Sequence, residues 1–149
     1  VVLPPIEMFP EHPADHVDVY TPLAYNSHQM EFVEASVFTR HLRTYMDDDG
    51  YRSLQQRLVA NPEAGAVMPG TGGFRKLRWA DPRRGKGRRG GLRVIYFHFS
   101  TAQVIWLMTL YDKDEAADLS PSEKKALKAA LELELRIRKE KNHGKAKYL

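Results

Sequence analysis

From Met30 onward the apolar residues recur with two alternating periods, and the switches between them outline the elements. Glu31-Phe32-Val33-Glu34 is short and β-prone, which predicts a strand. Ser36 then stands as an N-cap before Val37, Phe38, Leu42, Tyr45 and Met46, which fall on one side of a helix. Asp47, Asp48 and Asp49 offer a cap and dipole-favoured charge for a second helix, whose stripe is Tyr51, Leu54, Leu58 and Val59. Asn61-Pro62 ends it, because the residue before proline is driven out of the helical region. The two helices are predicted to form a hairpin that packs on a sheet.

Glycines and prolines from Gly65 to Gly73 predict a loop, followed by a strand over Phe74 to Trp79. Alternation places Leu77 and Trp79 on one face, toward the helices, and Lys76 and Arg78 on the other, left for solvent or substrate. Leu92 to Phe99 and Val104 to Tyr111 are apolar at nearly every position, as central strands covered on both faces are. Ser100 to Gln103 is a hairpin-length connection between them. Ser120-Pro121-Ser122-Glu123 spells a capping box with proline at the first helical position. The helix it opens is expected to run to about Asn142, burying Ala126, Leu127, Ala130, Leu131, Leu135 and Ile137, and to stop at His143-Gly144 before a frayed tail of residues 144–149. Residues 1–29 hold Pro4, Pro5, Pro10, Pro13 and Pro22, five of the chain's nine prolines, and read as an extended or disordered leader to a domain of residues 30–143. The fold class is therefore α+β, a mainly antiparallel sheet packed against an N-terminal helical hairpin, with a C-terminal helix.

The 149 residues suffice for one ordinary domain, and 42% hydrophobic content predicts a core. With no cysteine the chain has neither a disulfide framework nor a thiolate zinc site, which fits a reducing cytosol. No run approaches about 18 apolar residues, and the N-terminus lacks the basic-then-apolar layout of a signal peptide, so a cytoplasmic protein with no membrane partner is expected. His12 and His16 have metal-ligand spacing only if their segment is helical, and no further ligands converge on them; they read as surface histidines.

Charge changes the picture most. Between Phe74 and Arg93 stand nine cations, Arg75, Lys76, Arg78, Arg83, Arg84, Lys86, Arg88, Arg89 and Arg93, against the single acid Asp81. Removing these from the chain's 23 Lys and Arg and 19 Asp and Glu leaves 14 against 18, a net of −4 outside a chain total of +4. A solvated loop is the ordinary reading of such a run. Here arginine outnumbers lysine, glycines allow backbone amides close to a polyanion, and the cations continue into strands that can aim them, which favours a nucleic-acid surface. Gly85-Lys86-Gly87-Arg88-Arg89-Gly90 also spells G-x-G-x-x-G, but it follows Asp81-Pro82 and runs into a strand rather than a helix, so the dinucleotide-binding context is missing. Arg93 lies near the start of a buried strand, where an unpaired charge costs roughly several kcal/mol; an edge, a carboxylate or a bound phosphate must answer it, and a phosphate is expected.

The order strand, helical hairpin, three-stranded meander and helix, with Gly72-Gly73-Phe74-Arg75-Lys76-Leu77-Arg78, Arg88-Arg89-Gly90-Gly91-Leu92-Arg93-Val94-Ile95-Tyr96 and Leu110-Tyr111-Asp112-Lys113-Asp114-Glu115, resembles the RelE-like toxins, and among them the HigB branch of toxin-antitoxin modules. The likeness covers roughly Glu31 to Asn142 and rests on the combination of motifs. It implies a RelE-like small ribonuclease fold, a metal-independent endoribonuclease (an mRNA interferase) that cuts mRNA on the ribosome and inhibits translation, and a cognate antitoxin protein as partner, with no cofactor. Matched by motif, Lys76 and Arg78 are the two cations of the second strand and Arg93 the arginine of the third, with Tyr111 in a substrate-facing role. Arg75, Arg83, Arg84, Lys86, Arg88, Arg89 and Lys113 are the implied RNA-binding cations. The chain departs from some relatives in having Asp114 where an arginine follows the lysine matched by Lys113, and it lacks a counterpart of their terminal-helix tyrosine.

Attack of a ribose 2′-hydroxyl on the adjacent phosphate needs in-line geometry, a proton acceptor, charge stabilisation and a proton donor. Arg78 and Arg93 can stabilise charge but not act as bases, whereas Lys76 among other cations is a base candidate. His98 shares a face with Leu92, Val94 and Tyr96, opposite Arg93, and reads as a core or edge histidine. Asp47 to Asp49 are explained by capping and leave no carboxylate cluster for Mg²⁺. Two other functions stay open: a non-catalytic RNA- or ribosome-binding module using the same basic face and, by fold analogy alone, a gyrase-directed toxin on the same fold.

Overall fold

The computed structural model describes residues 30–81 and 91–147, with side chains as far as residue 143. Five strands form one sheet: β1 (Glu31–Glu34), β2 (Ala66–Val67), β3 (Arg75–Trp79), β4 (Leu92–Phe99) and β5 (Val104–Asp112), in the spatial order β1-β5-β4-β3-β2. Only the β1–β5 pairing is parallel. The two apolar strands β4 and β5 occupy the centre, and every residue of β5 is buried. A β-bulge between Ile95 and Tyr96, opposite Thr109 and Leu107, leaves Met108 as the extra residue.

Helices α1 (Ser36–Tyr45) and α2 (Asp48–Ala60) cover one face, where Phe38, Leu42, Leu54 and Leu58 pack with Leu77, Val94, Tyr96 and Leu110. Helix α3 (Pro121–Lys147) covers part of the other through Leu127, Ala130 and Leu131, which pack with Ile95, Trp106 and Met108. The architecture is thus α+β, with helices against a mainly antiparallel sheet. Among the described residues no helix is long and apolar enough to cross a membrane.

Several expectations meet a physical correction. Ser36 is the first residue of α1 and Ala35 its N-cap, with no side-chain capping bond, so burial of Val37 and Phe38 rather than a cap anchors the start. Asp47 does cap α2, its carboxylate accepting from the Gly50 amide at 2.8 Å. Within α2, Val59 is 48% exposed, and the fully buried Gln55 takes the place expected for it. The Gly65–Gly73 segment contains the two-residue β2. The capping box forms in both directions, Ser120 N to Glu123 Oε1 at 2.9 Å and Glu123 N to Ser120 Oγ at 3.2 Å. Helix α3 continues through His143 and Gly144 to Lys147, since one glycine costs a helix only about 1 kcal/mol. Its buried side also differs: Glu134 is 2% exposed and Leu135 46%. Glu134 accepts from Arg138 Nε at 3.1 Å, and the Arg138 guanidinium lies 4.1 Å from the Phe99 ring centre, closing the end of the core with a paired charge.

Candidate nucleic-acid interface

Strand register builds the site. Arg78 stands opposite Arg93, and Arg93 opposite Tyr111, so the three form one row across β3, β4 and β5. Residues directly opposite one another share a face, here the one that α3 only partly covers. Lys76 lies on that face too, opposite Ile95, which in turn pairs with Thr109. Gly91 lets β3 and β4 close at this end: a Cβ there would collide with the Trp79 carbonyl and come within 2.9 Å of the Asp81 nitrogen.

Arg78 is exposed, whereas Arg93 is 9% exposed and donates from Nη1 to the Leu92 carbonyl at 3.2 Å. Among the described residues no carboxylate comes within ion-pair distance of either arginine. Tyr111 is 3% exposed, and its hydroxyl has no hydrogen-bond partner among the described residues. Burial pushes the phenol up to about 12; Asp118 and Glu123 add to that, and Arg93 opposes it. The group therefore stays protonated at neutral pH.

Lys76 is not free. Its Nζ lies 3.4 Å from Asp118 Oδ1, and Lys124 Nζ of α3 lies 3.2 Å from Asp118 Oδ2. Burial would raise the Asp118 pKa, but the Leu119 amide at 2.8 Å, Lys124 and Lys76 together hold it below its ordinary value.

The structure does not gather every cation that the sequence singled out. Arg75 pairs with Tyr96 in the register, which puts it on the helical-hairpin face. There its Nη1 donates to Gly65 O at 2.8 Å and Glu63 O at 3.3 Å. Tyr96 OH donates to Pro62 O at 2.7 Å and accepts from the Gly65 amide at 2.9 Å, so the two side chains hold the loop after α2. Lys113 is half-buried just beyond β5, its amide 3.4 Å from Gly91 O. Arg83, Arg84, Lys86, Arg88 and Arg89 lie outside the described residues, as do the Gly85–Gly90 run, His12 and His16. The segment after that run is a strand, β4, as its pattern predicts. His98 falls on the hairpin face, away from Arg93, and its pKa is lowered by burial first and by Arg75, with Glu63 opposing.

Sequence reasoning missed Asp118 and Lys124. The one available clue was electrostatic: Lys124 lies near the positive end of α3, where a cation is disfavoured unless something holds it. Among the described residues no group of three or more His, Asp or Glu is arranged to hold a metal ion. No protein-family model matches the chain.

Proposed function

We propose that this chain is a RelE-like endoribonuclease, the toxin of a toxin-antitoxin module, which cuts mRNA on the ribosome and is restrained by a cognate antitoxin. The observation that carries the reading is the cross-strand row of Arg78, Arg93 and Tyr111, in which two arginines stand directly opposed with no carboxylate of the described residues within ion-pair distance. Like charges directly opposite destabilise a sheet, so their juxtaposition makes physical sense as a receptor for an anion. Bidentate arginine suits a phosphodiester, whose charge grows in the transition state of 2′-hydroxyl attack. In this reading the exposed Arg78 receives the phosphate, Arg93 stabilises the phosphorane from within the sheet, and Tyr111 keeps a proton beside Arg93. Lys76, one step along the face, completes the cationic cradle.

Burial of Arg93 and Tyr111 favours a second reading, an RNA- or ribosome-binding module on the same face without chemistry. One experiment separates them: purified protein in cell-free translation, with mRNA ends mapped by primer extension with and without ribosomes, beside Arg93→Ala. Cuts confined to translated message and lost in the variant are expected. Intact message with blocked translation would establish the binding module instead, and intact message with normal translation would remove both.

A further inference from the structure

A single carboxylate, that of Asp118, holds two ammonium groups together where β3 meets α3. Lys76 comes from β3 and Lys124 from α3, and the Lys76–Asp118 contact joins residues 42 apart in the chain. Each Nζ approaches a different oxygen of Asp118, at 3.4 and 3.2 Å, as two cations would approach two oxygens of a phosphodiester. Both lysine side chains are about a quarter exposed, and Asp118 is 43% exposed, so the carboxylate sits at the solvent side of the pair. Its backbone lies in the bend before α3, and the capping box fixes where the helix begins and hence where Lys124 projects.

An ion pair at the solvent boundary contributes little to stability, so exchanging its anion costs the fold little. Without Asp118 the two ammonium groups would repel, and with it they are held at the edge of the face that carries Arg78 and Arg93.

We infer that Asp118 is a displaceable internal mimic of phosphate, and that Lys76 and Lys124 together form a second phosphodiester-binding position beside the arginine row. Lys124 thereby becomes a substrate-binding residue on α3, extending the cationic track from the sheet onto the helix. An incoming phosphate takes the place of the carboxylate, which swings to solvent. That the natural ligand is RNA rests on the function proposed above; the anion site itself does not.

The test uses two probes on the full chain, inorganic phosphate followed through the Lys76 and Lys124 side-chain NMR signals, and an uncleavable 2′-O-methyl RNA oligonucleotide followed by fluorescence anisotropy. Asp118→Asn keeps an oxygen to accept from the Leu119 amide and removes the competing charge. It is expected to bind both probes about fivefold more tightly, the factor equivalent to one unit-charge interaction at 4 Å in water. Lys124→Gln is expected to weaken both by a similar factor, and thermal unfolding of each variant checks that the fold is retained. Unchanged or weaker phosphate binding by folded Asp118→Asn, or phosphate shifts at Lys76 without Lys124, would overturn the inference. Tighter phosphate binding with no oligonucleotide binding would uphold the anion site and remove the RNA reading instead.

Discussion

At the scale of single residues, the opposition of Arg78 and Arg93 sets the proposed function against stability. A directly opposed like-charge pair costs a sheet roughly 0.2–1 kcal/mol. Arg78→Gln is therefore expected to raise the unfolding free energy by up to about 1 kcal/mol while weakening RNA binding; urea denaturation and oligonucleotide titration on one preparation check both. A variant that lost stability would mean that Arg78 serves the fold. Tyr111 makes a separate prediction. Its folded pKa of about 12 exceeds the ordinary 10.0, so its contribution to stability is complete below pH 10 and is lost as pH rises toward 12. Burial also raises the pKa values of Tyr51 and Tyr96, so the wild-type protein should weaken in alkali through all three. Tyr111→Phe removes a buried hydroxyl that has no hydrogen-bond partner among the described residues. It should cost at most a few tenths of a kcal/mol at neutral pH and flatten the decline between about pH 10 and 12, read from urea midpoints across that range.

At the scale of elements, what was legible in the sequence was what local physics decides. The capping box of α3 lies within four residues, and both its bonds form; Ser120→Ala should cost about 1 kcal/mol, measured by urea unfolding. Strand alternation correctly set Lys76 and Arg78 apart from Leu77 and Trp79, and His98 apart from Arg93, because a period of two needs no knowledge of the partner strand. The same alternation, applied one residue earlier, would have placed Arg75 on the face opposite Arg78 and Arg93. Counting it among a run of cations concealed that. Contacts between distant segments had no such local sign. Lys76 meets Asp118, Tyr45 OH reaches Glu115 Oε2 at 2.7 Å across 70 residues, and which side α3 buries beyond Leu131 depends on Phe99 lying beneath Arg138. Gly91 belongs between these cases: its flexibility was plain, but its closeness to the Trp79 carbonyl came only from the β3–β4 pairing. Gly91→Ala should destabilise by about 1–3 kcal/mol through that collision, with urea unfolding as the check.

At the scale of the whole molecule, a net charge of +4 conceals a strongly polar distribution, since nine cations between Phe74 and Arg93 offset a net −4 elsewhere. A local charge excess of this kind raises the rate of encounter with a polyanion. Five of the nine, Arg83, Arg84, Lys86, Arg88 and Arg89, come between β3 and β4 in the chain, next to the sequence positions of Arg78 and Arg93. Replacing all five with glutamine takes the formal charge from +4 to −1. If each contacts one phosphate of a single strand, the slope of log K against log salt should become shallower by about 0.7 for each, roughly 3.5 in all. Arg78→Gln alone should change it by about 0.7. The slope is the right quantity because it responds to counterions released at contacts, whereas affinity at one salt concentration also falls when net charge alone is reduced. A fivefold variant whose affinity drops with an unchanged slope would identify those cations as a solvated run, leaving recognition to the framed residues on β3, β4 and α3. A slope reduced by the full amount would extend the interface from the sheet into the arginine-rich segment.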